Sequence, residues 1–94
     1  QTIAMNDTTV TLTAATLTGN VLDVDPESAG ASEALKLPPE ADMEGAVLFI
    51  YNSGGESVAV QNDAAGAIVT ITTGTAAIVW CDGTNWAYIY DTDT

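Results

Sequence analysis

Ala46-Val47-Leu48-Phe49-Ile50-Tyr51-Asn52-Ser53-Gly54-Gly55-Glu56-Ser57-Val58-Ala59-Val60-Gln61 is the stretch whose reading decides the fold. It opens with an unbroken apolar run rich in branched and aromatic side chains, which suit a pleated surface. Ser53-Gly54-Gly55 then offers the positive φ that a tight turn needs. Ser57–Gln61 resumes the β pattern. The expectation is a hairpin of two strands, Ala46–Asn52 and Ser57–Gln61.

The same grammar holds on either side. Toward the C-terminus come a turn at Asn62–Gly66, a strand at Ile68–Thr72, and a turn at Thr73-Gly74-Thr75. A strand at Ala76–Cys81 follows, and Asp82-Gly83-Thr84-Asn85 forms a hairpin into Trp86–Asp91. Toward the N-terminus, Glu40–Gly45 reads as a polar loop and Ala34–Leu37 as a short strand stopped by Pro38-Pro39. Glu27–Glu33 is a small-residue acidic loop. Asn20–Asp25 is a strand ended by Pro26, which lacks a donor, and Thr8–Ala14 alternates threonine with Val10, Leu12 and Ala14. A short helical turn fits Ser28–Glu33 or Glu40–Glu44, but no amphipathic helix of ordinary length appears. The fold class is all-β: a small antiparallel β-sandwich or jelly-roll-like barrel of about seven to eight short strands, joined mostly by hairpins. A length of 94 residues fits one domain, with residues 1–9 as a flexible N-terminal arm and 10–91 as the β core.

Three strands break the rule that a half-exposed antiparallel strand alternates apolar with polar. Ala46–Tyr51 and Ala76–Cys81 are apolar at every position, and Trp86–Tyr90 nearly so. A domain this small has one interior, so the second face of these strands needs cover. Another copy of the chain is the simplest source; a loop or the N-terminal arm of the same subunit is the alternative. The expected interface residues are Val47, Phe49, Tyr51, Ile78, Trp80, Tyr88 and Tyr90.

Composition removes several classes of function. Thirteen Asp and Glu stand against one basic residue, Lys36, for a formal charge of −12. A phosphate backbone is bound mainly through Lys and Arg, so nucleic acid is excluded as a partner, and so is an anionic membrane. No apolar run approaches the ~20 residues of a spanning helix. Gln1–Met5 has no basic residue and no long apolar stretch, so no signal peptide is expected there. One cysteine, Cys81, permits no internal disulfide.

Catalytic groups are sparse. Histidine is absent, which removes the ordinary Ser-His-Asp and Cys-His arrangements. Cys81, beside Trp80 in an apolar strand, reads as a small buried hydrophobe. Asp23 and Asp25 share a strand face and, with Glu27, could offer oxygen ligands to Ca²⁺. Their spacing fits no EF-hand loop, and the stronger reading is a solvated edge that resists strand pairing. Asp82, Asn85 and Trp86 could stack on and hydrogen-bond a sugar, but turn formation and inward packing of the indole explain them better. No catalytic, cofactor or metal site is expected, and the chain is not expected to be an enzyme.

Three motifs carry a resemblance. Leu35-Lys36-Leu37-Pro38 leads through a loop ending at Gly45 to Ile50-Tyr51-Asn52-Ser53-Gly54, and the pattern closes on Val79-Trp80-Cys81-Asp82-Gly83-Thr84-Asn85-Trp86. Across roughly residues 35 to 90 this resembles the β-sandwich domains of small virion structural proteins of tailed phages, found in capsid decoration or cement proteins and in head and tail fibres. The resemblance implies a homotrimer on the outer surface of a virion, bound to the major capsid protein and stabilising the head. A fibre module that binds host-surface glycan is the alternative. It implies no catalytic residues.

Overall fold

The computed structural model describes residues 1–5, 9–25 and 34–90. They form nine strands: β1 (Thr2–Ala4), β2 (Val10–Thr11), β3 (Val21–Asp25), β4 (Ala34–Lys36), β5 (Val47–Asn52), β6 (Val58–Gln61), β7 (Ala67–Ile71), β8 (Ala76–Cys81) and β9 (Trp86–Tyr90). A single 3-10 turn at Glu40–Asp42 follows Pro39 and is the only helical element among the described residues.

The strands fall into two sheets, in the orders β1-β3-β5-β8-β9 and β2-β4-β6-β7. Both sheets are mixed, which corrects the antiparallel expectation. β1, β3 and β5 run parallel, as do β2, β4 and β6. The physical reason is the route of the chain. A parallel pair needs a long crossover, commonly a helix. Here the crossover from β3 to β5 carries β4 of the other sheet, and the chain alternates sheets from β1 through β6.

The expected hairpin of residues 46–61 is therefore not a hairpin. β5 and β6 are both strands, but the turn at Ser53–Gly55 carries the chain from one sheet to the other. The same holds at Thr73–Thr75, between β7 and β8. True hairpins occur at Asn62–Gly66 and Asp82–Asn85, joining β6 to β7 and β8 to β9. In the first, Asn62 Oδ1 accepts from Ala64 N–H at 3.0 Å and Gly66 N–H at 2.7 Å. In the second, Asp82 accepts from Thr84 N–H at 2.8 Å and Asn85 N–H at 2.7 Å. Gly83 there has φ +95°, and an added Cβ would lie 3.1 Å from the Glu44 side chain.

Residues 1–4, within the stretch expected as a flexible arm, are tied to the fold, and residues 6–8 of that stretch lie outside the described residues. Thr2–Ala4 pairs with β3, the main-chain nitrogen of Gln1 donates to Val21 O at 2.8 Å, and Gln1 Oε1 accepts from Thr18 N–H at 3.0 Å. The alternating pattern at Thr8–Ala14 also shortens. Leu12 is buried, whereas Ala14 lies in an exposed turn held by Thr13 and Thr16.

The core lies between the sheets. Leu22, Val24, Leu48, Ile50, Ala77, Val79, Cys81 and Trp86 of the five-stranded sheet meet Leu35, Val58, Val60, Val69 and Ile71 of the other, with Ile3, Met5, Leu12 and Leu37 at the margins. Among the described residues one polar side chain is buried with them, Asn52. Its Nδ2 donates to Glu56 O at 2.7 Å and Ile71 O at 2.8 Å, and its Oδ1 accepts from Gly54 N–H at 2.9 Å. The amide is thus fully engaged, as a buried polar group must be.

Candidate functional site: an apolar outer sheet face

β5 buries alternate residues, Leu48, Ile50 and Asn52, and presents Val47, Phe49 and Tyr51 outward. Register carries this alternation to its neighbours, because directly opposed residues share a face. Val21 lies beside Phe49, Phe49 opposite Ile78, and Ile78 opposite Ile89, so one apolar row crosses four strands. On one side of it a second row holds Val47, Trp80 and Ala87. On the other lie Tyr51 and Ala76, continuing to Asp23 and Thr2. Val21 is 59 % exposed, Phe49 46 % and Ile89 60 %, while Ile78 and Trp80 are half-buried by their neighbours. No described residue of the chain covers this face. Monomeric soluble proteins rarely leave so continuous an apolar patch open unless it binds something.

Five of the expected interface residues, Val47, Phe49, Tyr51, Ile78 and Trp80, are brought together here. Tyr88 and Tyr90 are not: they pair with Val79 and Ala77 and so point to the inner side of β9. Sequence reasoning missed Val21 and Ile89. Val21 becomes readable only once β3 is known to lie parallel beside β5, and Ile89 only through the register of β9 on β8.

Tyr88 and Tyr90 instead border a hollow of about 420 Å³ between β9 and β7, with Ala67–Thr70 of β7 as the other wall. Tyr90 bridges the two sheets at one end. Its hydroxyl accepts from Thr72 N–H at 2.8 Å and lies 3.0 Å from the hydroxyls of Thr72 and Thr75. Burial pushes this phenol up, but the bonds to Thr72 and Thr75 outweigh it and hold the group below the ordinary tyrosine value.

The hairpin residues singled out for sugar contact do structural work. Trp86 is buried and its Nε1–H donates to Pro38 O at 3.3 Å. The backbone N–H of Asn85 and then that of Thr84 hold the Asp82 carboxyl below the usual aspartate value. Asn85 also lines a smaller hollow of about 220 Å³ with Glu40, Asn62 and Tyr88. Cys81 is buried, its Sγ 3.4 Å from Glu40 O and from Gly83 N.

Asp23 and Asp25 lie on the outer side of β3, and Asp23 accepts a bond from the Ser53 hydroxyl. Glu27, the third residue considered with them, is outside the described residues. Among the described residues no group of three His, Cys, Asp or Glu is placed to hold a metal ion.

The three motif segments supply core and turn residues. Leu35 and Leu37 are core residues, Pro38 takes the Trp86 indole bond, and Asn52 and Gly54 form the buried turn after β5. No family model, no curated protein and no solved structure matches this chain.

Proposed function

We propose that this chain is a structural virion protein of the capsid decoration or cement type. It assembles as a homotrimer on the outer surface of a capsid, binds the major capsid protein and stabilises the head. It performs no catalysis, and its fold is the small β-sandwich type that the motifs at residues 35–90 resemble. The observation that carries this reading is the uncovered apolar face centred on Phe49 and Ile78, in a chain whose other features are structural.

The magnitudes favour a multivalent binder. Withdrawing a whole large apolar side chain from water gives about 1.5–3 kcal/mol, so a half-exposed one gives roughly 1 kcal/mol. Association costs on the order of 4–15 kcal/mol in lost freedom. One such face is close to break-even, and linking three subunits supplies the rest as avidity. The −12 charge keeps unbound copies apart in dilute solution and at low salt.

The test is a comparison of expanded capsids with and without the protein. Capsids lacking it should lose DNA at lower temperature or lower salt. Equal robustness, or a purified chain that binds no shell, counts against the proposal.

A second reading, a fibre module for host glycan, draws on one observation: Asn62, Asn85, Glu40 and the Tyr88 ring meet at one hollow. Copy number separates the two. Hundreds per particle fits decoration, and a few dozen or fewer fits a fibre.

A further inference from the structure

The two sheets have four edges, and these are unequal. β1 has three residues and β2 two. Short edges of this kind resist strand addition. β7 and β9 have five residues each and carry no charge, proline or glycine, although the chain holds 13 acidic residues. β7 is partly guarded by a bulge in its pairing with β6. β9 runs in unbroken register against β8 over all five of its residues.

The ladder fixes which groups of β9 are free. Cys81 N–H donates to Ala46 O at 3.0 Å and Cys81 O accepts from Gly45 N–H at 2.9 Å, so both face away from β9. Asp82 N–H donates to Asn85 O across the hairpin at 3.2 Å. Bonded and non-bonded pairs alternate in an antiparallel ladder. Ala87 and Ile89 therefore bond β8, and the main-chain groups of Trp86, Tyr88 and Tyr90 point to the open edge.

We propose that β9 is a strand-acceptor edge: an extended segment of another polypeptide, about five residues long and flanked by Lys or Arg, pairs with the main chain of Trp86, Tyr88 and Tyr90. Alternate side chains of the added strand enter the hollow between Tyr88 and β7, which is about 420 Å³. The others extend the outer row beyond Ile89. Charge selects the flanks. Asp82 and Glu44 lie at the start of β9, and Glu40 lines the adjoining hollow. A cation there is favoured. A second copy would bring its own −12 charge to the edge. This edge adjoins the outer face centred on Phe49, but the pairing is with the main chain of β9 and does not depend on the virion reading.

The test uses the intact chain and an acetylated, amidated probe peptide, Lys-Thr-Val-Thr-Val-Thr-Lys. Binding should slow exchange of the Tyr88 amide and its alternate neighbours about tenfold or more, leaving β1 amides unchanged. Replacing both flanking Lys of the peptide by Glu should weaken binding about tenfold. Two peptides N-methylated on odd or even amides should differ, with only one losing binding. Y88P removes an edge donor without touching the β8 ladder and should abolish binding. If Y88P fails to fold, the N-methylated pair decides alone. No binding, binding without protection of β9, or equal binding of both N-methylated peptides overturns the proposal. Concentration-dependent protection of β9 in the free protein also overturns it, because the occupant would then be a second copy.

Discussion

The side-chain amide of Asn52, on β5 of one sheet, donates to the main-chain carbonyl of Ile71, on β7 of the other, at 2.8 Å in the core. The same nitrogen reaches Glu56 O, and the amide oxygen takes Gly54 N–H. One buried side chain thus ties the sheets together and shapes the turn that carries the chain between them.

Replacing Asn52 by Ala leaves two carbonyls and an N–H without this partner inside the protein. The expected loss is about 2–4 kcal/mol. Asn52→Asp should cost more, since a buried carboxylate cannot donate to two carbonyls. Urea denaturation monitored by tryptophan fluorescence measures both.

Leu48 and Phe49 are neighbours on β5 that face opposite ways. Leu48→Ala should destabilise the domain by about 2–5 kcal/mol through a core cavity. Phe49→Ser should cost under about 1 kcal/mol in the isolated chain and yet remove assembly. Denaturation paired with sedimentation on the two variants gives both numbers.

The Asp82 carboxyl is held below the ordinary aspartate value by Asn85 and Thr84 N–H. A lowered folded-state value stabilises the hairpin at all pH above the ordinary one, and that contribution is lost as pH falls through the folded value. Asp82→Asn should flatten this acid response. The chemical shifts of the Thr84 and Asn85 amides, followed through an acid titration, report it.

Tyr90→Phe keeps the ring and deletes the hydroxyl that joins β9 to Thr72 and Thr75. The expected cost is about 1 kcal/mol, with faster hydrogen exchange at the Thr72 amide and little change at Leu48.

Most strands were legible because their signals are local, but β1, three residues long, lay in the stretch expected as a flexible arm. The apolar run at Val47–Tyr51, Pro26 after Asp25, and Asp82–Asn85 before Trp86 each mark an element from within a few residues. Sheet assignment was not, because it depends on partners distant in sequence. Ser53-Gly54-Gly55 looks like a hairpin turn, and only the distant partners of β5 and β6 show that it is a crossing. The outer face was legible in part for the same reason. Phe49 and Ile78 sit in runs apolar at every position, whereas Val21 and Ile89 join them only through register. Tyr88 and Tyr90 have the right composition but the opposite parity on β9.

The zigzag of β1 through β6 has a consequence for biogenesis. Only β6–β7 and β8–β9 can zip locally, on a timescale of about 1–10 μs for a hairpin. The stretch ahead of β5 has no contiguous strand to pair with, so its parallel contacts close large loops and come late. Translation delivers that stretch first. β1 pairs with β3 and β2 with β4 inside that stretch, but β3 and β4 lack their second neighbours until β5 and β6 follow, which leaves the core residues Leu22 and Leu35 in need of shelter on the ribosome.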